Sequence, residues 1–155
     1  MGSDVYLRWD SMSEEDKEKQ LTGFNIAAGK AGYLRASIGM AEENEVLRVL
    51  FPEQIWNSSE PVEYDFEGNM EAMRSVLVSY LAGQKIDVQD RIAESTAMGR
   101  HVGEVLARTF GAENVVTPGM DFEDKKTWAE SLVGFFRLGA ELQKAGKRPG
   151  VWISW

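Results

Sequence analysis

Apolar and polar residues alternate in three short stretches, one near each end of the chain and one near its middle. In residues 4–10, Val5 and Leu7 fall on one side and more polar side chains on the other, and residues 61–66 and 151–155 show the same period of two. Successive side chains of a β-strand point to opposite faces of a sheet, so this period is typical of a strand with one buried face. The sequence therefore predicts three half-buried strands.

Between these stretches, apolar residues recur every three or four positions, which is the spacing of one face of an α-helix. The predicted helices cover residues 13–22, 27–38, 43–51, 69–82, 87–110 and 121–145. Ser13 is a typical N-cap, because its hydroxyl can accept a hydrogen bond from a backbone amide of the first turn. The prediction for 27–38 rests on apolar spacing against a low helix propensity, since four glycines lie within residues 23–39. Residues 54–61 are interpreted as a polar loop.

The helix predicted for residues 87–110 is the element around which we expect the chain to be organised. Asp87 is a typical N-cap and Gly111 a typical helix stop. Its inward stripe consists of small and apolar residues that fall within about 40° of one line: Val88, Ile92, Ser95, Gly99, Val102, Leu106 and Phe110.

Small residues suggest where this helix meets another. Ser95, Gly99 and Gly103 lie four positions apart, and Gly139 lies on the stripe of the last predicted helix. Small side chains allow two backbones to approach closely, so the two helices are predicted to cross there. The alternative is that the glycines mark a kink or a place where a ligand approaches the backbone.

The order of predicted elements is strand, helices, strand, helices, strand. Each strand has a single apolar side that must be covered, and helices packed on one face of a sheet cover it most simply. We therefore predict an α+β fold in one domain, residues 1–155. It contains a small sheet of about three mostly antiparallel strands, from the N-terminal, middle and C-terminal parts of the chain, covered by four to six helices.

Composition limits the classes of partner. The net charge is −8, and the whole acidic excess lies in residues 1–110. Like charges repel, so we expect neither nucleic acid nor an anionic membrane as partner, whereas a basic protein would suit this charge. The chain has no Cys and no long apolar run, which indicates a cytoplasmic protein without disulfides.

His101 is the only histidine, so any chemistry that needs an imidazole must use it. On the predicted helix it lies about 140° from the apolar stripe, among carboxylates that include Glu94 and Glu104. His101 and Glu104 form at most half of a metal site, because no second histidine exists. A surface histidine among carboxylates is the simpler interpretation, and the sequence indicates no cofactor.

Tryptophans provide the remaining candidates for binding. The last strand carries large apolar groups on both faces, with Trp152 on one side and Val151 and Ile153 on the other, and it ends at Trp155. Trp56 lies in the predicted polar loop. One face of the last strand is therefore a candidate interface, and a position at the sheet edge would let its backbone recruit a second chain.

Two hypotheses about function follow. The first is a non-catalytic, acidic protein-interaction domain, such as an inhibitor, an immunity protein or an antitoxin-like factor, or a domain that self-associates. The alternative is a small hydrolase, metal-assisted or not, that uses His101 with Glu94 or Glu104.

Overall fold

The computed structural model describes residues 2–21, 31–83 and 122–155. These ranges contain four strands and five helices, in the following order along the chain: β1 (Ser3–Arg8), α1 (Glu14–Leu21), β2 (Tyr33–Ala36), α2 (Ala41–Leu50), α3 (Glu53–Trp56), β3 (Val62–Glu63), α4 (Met70–Leu81), α5 (Phe122–Lys144) and β4 (Gly150–Ser154).

The strands form one antiparallel sheet in the order β2-β1-β4-β3. The two terminal strands, β1 and β4, lie side by side at its centre. Their register places Val5 opposite Leu34 on one side and Ile153 on the other, so apolar side chains line up across three strands on one face. The α+β class with a small antiparallel sheet is confirmed, and the sheet contains β2 in addition to the three predicted strands.

Strand β2 corrects the helix predicted for residues 27–38. Leu34 and Ala36 are buried in the core, whereas Arg35 between them is exposed, which is the alternation of a strand. Gly32, just before it, has a φ of +78°, a conformation that favours glycine. The segment forms a strand because pairing with β1 gives its backbone N–H and C=O groups hydrogen-bond partners and at the same time buries its apolar side chains. Residues 27–30 of the predicted helix lie outside the described ranges.

The position of β4 corrects the suggestion that the last strand forms a sheet edge. It pairs with β1 through five residues and with β3 through Val62 and Glu63, so it is an interior strand. Its inward side chains, Val151 and Ile153, are buried. Among the described strands, β2 and β3 form the two edges of the sheet.

Apart from the segment that forms β2, the helices predicted from apolar spacing are confirmed where the structure describes them. Helices α2, α4 and α5 match the predicted 43–51, 69–82 and 121–145 within a few residues. In α1, Ser13 caps as expected: its hydroxyl accepts a hydrogen bond from the Asp16 amide at 3.1 Å, and Asp16 accepts one from the Ser13 amide at 3.3 Å. The helix predicted for 87–110 lies outside the described residues.

One core joins the inner face of the sheet to α2, α4 and α5. At its centre, Phe51, Phe66, Phe135 and Phe136 are all fully buried, with neighbouring rings at edge-on or tilted angles. Burying one such side chain contributes about 1.5–3 kcal/mol, so this cluster is a major source of stability. The apolar face of the sheet is thus buried in this core.

The middle strand is shorter than the predicted 61–66. Only Val62 and Glu63 pair with β4, and the chain turns at Asp65, whose carboxylate accepts a hydrogen bond from the Gly68 amide at 2.9 Å. This is the turn geometry that Asp favours. Tyr64 and Phe66 still point into the core. The apolar alternation therefore predicted the buried side chains correctly, although the hydrogen-bonded pairing with β4 ends at Glu63.

The polar loop predicted for residues 54–61 begins instead as a helical turn, α3, that carries two core side chains. Ile55 and Trp56 are both nearly fully buried. The Trp56 indole N–H donates a hydrogen bond to the Phe51 carbonyl at 2.9 Å, which satisfies its one polar atom inside the core.

None of the helices in the described ranges combines the length and the apolar character needed to cross a lipid bilayer.

Candidate interaction face

The outer face of the sheet, opposite the core, carries a row of three aromatic side chains. Tyr33, Tyr6 and Trp152 occupy paired positions on β2, β1 and β4. The ring centroids of Tyr6 and Tyr33 lie 5.3 Å apart, and those of Tyr6 and Trp152 lie 5.1 Å apart with the rings stacked. We call these three residues the aromatic row. Tyr33 is almost fully buried, whereas Tyr6 and Trp152 are partly exposed, so the accessible part of the row is the Tyr6–Trp152 stack.

Arg8 lies beside this stack. Its guanidinium carbon is 5.2 Å from the centre of the Tyr6 ring and 5.9 Å from that of Trp152, within the range of cation–π attraction. The guanidinium also donates hydrogen bonds to the Leu7 carbonyl and to the side-chain oxygen of Gln20. Burial lowers the pKa of Arg8 below its ordinary value, and arginine keeps its charge in proteins. Arg8 is therefore a cation held beside the Tyr6–Trp152 stack.

Gln20 is the reason that Arg8 is held in place. Its side chain is buried, and its amide nitrogen lies 2.9–3.0 Å from the carbonyl oxygens of Leu7, Ala31 and Gly32, which share its two hydrogens. The amide nitrogen is thus committed to the backbone, and its oxygen faces Arg8. Helix α1 consequently connects the face to the start of β2.

Asp4 lies on β1 on the opposite side of Tyr6 from Arg8. It accepts a hydrogen bond from the Tyr33 hydroxyl at 2.6 Å and lies 3.6 Å from the Arg35 guanidinium. Burial, followed by the neighbouring Asp4 carboxylate, raises the pKa of Tyr33 to about 12. The same two causes raise the pKa of Tyr6. Both phenols are therefore neutral at physiological pH, and Tyr33 acts as a hydrogen-bond donor.

The pKa of Tyr33 provides a direct check on this geometry. We expect the ring carbon that bears its hydroxyl, observed by carbon NMR, to titrate with a midpoint near 12. Because the folded-state pKa exceeds the ordinary value of about 10, the stability that Tyr33 contributes should be complete below pH of about 10 and decline as the pH rises towards 12. Asp4→Asn should lower the midpoint by removing the carboxylate. A midpoint near 10 in the unsubstituted protein would show that Tyr33 is neither buried nor bonded as described.

A second aromatic cluster lies at the end of β4. The guanidinium carbon of Arg48 on α2 is 3.7 Å from the centre of the Trp56 ring and 5.3 Å from that of Trp155. The Trp155 indole donates a hydrogen bond to the Trp56 carbonyl at 2.8 Å, yet 54% of the Trp155 surface remains exposed. Arg48 thus bridges one buried and one exposed tryptophan.

Comparisons with protein-family models, curated proteins and solved structures find no match. The functional interpretation of the face therefore depends on its own geometry.

The candidate binding residues predicted from the sequence lie in different places in the structure. Trp152 lies in the aromatic row, Trp155 is exposed beside Arg48, and Trp56 is buried. His101, Glu94 and Glu104 lie outside the described residues. Within the described ranges, no three Asp, Glu or His side chains are grouped so that they could hold a metal ion.

Sequence reasoning missed three members of the face. Tyr6 and Arg8 stood on the polar side of the first predicted strand, and that alternation was the signal that could have placed them beside Trp152. Tyr33 gave no such signal, because its segment was predicted to be helical. Its position opposite Tyr6 follows only from the pairing of β1 with β2.

Proposed function

We propose that the chain is a non-catalytic protein-interaction domain that binds its partner through the outer face of the sheet. The observation that carries the proposal is the partly exposed Tyr6–Trp152 stack, with Arg8 beside it. Tyrosine, tryptophan and arginine are the residue types most enriched among those that dominate the binding energy of protein interfaces.

The face is also ordered before any partner arrives. The Tyr6 and Trp152 rings stack on paired strands, and Gln20 holds Arg8 from a buried position. Immobilising a long side chain on binding costs about 0.5–1.5 kcal/mol. Because the protein's own contacts already restrict these side chains, that cost is reduced, which favours a role in binding.

Charge favours a protein over a nucleic acid as the partner. Aromatic rings and arginines on a sheet also suit stacking with unpaired bases. However, the chain has a net charge of −8, and Asp4 lies on the same face. A phosphate backbone would be repelled by that charge, whereas a folded protein can match Arg8 and Arg35 with carboxylates.

The test is affinity capture from the native host extract, comparing the unsubstituted protein with Trp152→Ala. Trp155→Ala is the matched control, because it removes an exposed tryptophan that lies outside the aromatic row. Truncating a central aromatic residue typically costs more than 1 kcal/mol. We therefore expect Trp152→Ala to weaken the captured complex about tenfold and Trp155→Ala to leave it nearly unchanged.

Two further readouts make the result decisive. Circular dichroism and thermal unfolding should show that both variants are folded, so that lost binding reflects the surface. Sedimentation velocity identifies a second copy of the chain as the partner if Trp152→Ala converts a dimer to a monomer. Capture of nucleic acid in place of protein, or equal capture by all three proteins, would contradict the proposal.

A further inference from the structure

A groove at the edge of the sheet is distinct from the aromatic row. It lies between β3, helix α3 and the starts of the loop and helix that follow β3, and its volume is about 610 Å³. This is within the usual size range of ligand pockets in proteins, about 300–1,000 Å³. All of its lining residues belong to the described part of the chain.

The floor of the groove is apolar and firmly packed. Val49, Leu50, Ile55 and Val76 line it and are themselves buried in the core. Val62 adds a partly exposed apolar side chain from the edge strand β3. An aliphatic side chain placed here would bury apolar surface against a rigid base, at about 25 cal/mol for each Å² removed from water.

The rim of the groove is acidic. Glu53, Glu63, Asp65 and Glu71 line it, against a single cation, Arg48. Arg48 is engaged with the Trp56 ring, and Glu71 lies 3.9 Å from Arg74. Within the described residues, neither Glu53 nor Glu63 belongs to an ion pair. Glu63 interacts electrostatically with Arg148, which lies outside the groove. The rim itself carries four carboxylates against one arginine above an apolar floor.

Asp65 is fixed in its charged form. Its carboxylate accepts hydrogen bonds from the Gln143 side chain at 2.7 Å and from the Gly68 amide at 2.9 Å, and these bonds lower its pKa. Both donors hold the carboxylate at one corner of the groove. Asp65 therefore keeps its negative charge near neutral pH.

We propose that this groove binds a basic segment of a partner protein, with an aliphatic side chain on the floor and adjacent lysine or arginine side chains against Glu53 and Glu63. Charge complementarity selects this occupant, because an acidic segment or a phosphate would be repelled by the rim. A purely apolar segment would leave the carboxylates unmatched. The proposal involves residues other than those of the aromatic row and stands independently of it.

The experiment uses a short fluorescent peptide in which lysine alternates with leucine, with binding followed by anisotropy on the full-length protein. Glu53→Lys and Glu63→Lys should each weaken binding about tenfold, since a favourable contact becomes a repulsive one. Glu130→Lys is the matched control: it makes the same change in net charge at an exposed position of α5 that does not line the groove. It should change the affinity less than about twofold. Trp152→Ala should have no effect, which separates this site from the face proposed above.

Two control peptides complete the test. Replacing lysine by glutamate should abolish binding, and replacing leucine by glycine should weaken it about tenfold. The proposal is overturned if the peptide does not bind, if Glu130→Lys weakens binding as much as Glu63→Lys, or if the glutamate or glycine peptide binds as tightly as the original.

Discussion

Lys125→Ala should destabilise the protein by about 3 kcal/mol, a large share of the stability of a small domain. The side chain of Lys125 is fully buried. Its ammonium donates to the Tyr80 carbonyl at 2.6 Å, lies 3.2 Å from the Glu42 carboxylate and sits 4.3 Å from the centre of the Tyr80 ring. Alanine removes a charge-assisted hydrogen bond, a partly buried ion pair and the packing of the aliphatic stem.

The position of Tyr80 explains why a cation is favourable there. Tyr80 lies in the last turn of α4, where the helix dipole is negative, and its carbonyl also accepts a hydrogen bond from the Gly83 amide at 3.1 Å. Lys125 on α5 therefore stabilises the end of α4 and connects the two helices. Glu42 is partly exposed, so it can regain water when the lysine is lost, which limits the cost.

Urea denaturation measures this effect, and Lys125→Met separates its parts. Methionine keeps most of the apolar stem but not the charge, so its cost should be about 2 kcal/mol. A Lys125→Ala variant within about 0.5 kcal/mol of the unsubstituted protein would show that the ammonium contributes nothing to the α4–α5 contact.

Gly139→Ala should also destabilise, by about 2 kcal/mol, although alanine is the better helix former. Gly139 is buried in α5, and a Cβ atom built on it would lie 2.4 Å from the Phe66 ring. Phe66 is fully buried and packed against Phe135 and Phe136, so it has little room to move. Overpacking should therefore outweigh the gain of about 1 kcal/mol in helix propensity.

A double-mutant cycle identifies the cause. Phe66→Ala alone should cost about 3–5 kcal/mol, because it leaves a cavity in the core. In that background the ring is absent, so Gly139→Ala should be neutral or stabilising. If Gly139→Ala has the same cost with and without the Phe66 ring, the close contact between them is not the reason for the glycine.

The contact at Gly139 also changes the interpretation of that small residue. The sequence predicted a crossing with Ser95, Gly99 and Gly103, which lie outside the described residues. The structure places the Phe66 ring against Gly139. A single sequence identifies a position that has no room for a side chain, but it does not identify the group that occupies the space.

Helices were predictable because their apolar stripes are long. In α5, Trp128, Leu132 and Phe135 recur over many turns, and each is buried as expected. Strand β2 could not be predicted from the sequence, because Leu34 and Ala36 span only two alternations and the segment also shows helical spacing. Its conformation is set by pairing with β1, far away in sequence, and local pattern does not contain that information.

The candidate face was only partly predictable, because local pattern identifies single residues but not the pairing of strands. Trp152 was identified because the last strand carries large apolar groups on both sides, which a one-sided core does not require. Its neighbours Tyr6 and Tyr33 come from two other strands, and only the register of the sheet brings the three rings together. The groove beside β3 depends on the turn at Asp65 and on α3, which sequence pattern had assigned to a strand and a loop.

The most direct test of the account is the affinity of the captured partner for the purified protein, measured by calorimetry with the unsubstituted chain, Trp152→Ala and Trp155→Ala. The account predicts that the dissociation constant rises about tenfold for Trp152→Ala and stays within about twofold for Trp155→Ala. Equal affinity of Trp152→Ala and the unsubstituted protein, with both folded, would contradict the claim that the outer face of the sheet is the binding surface.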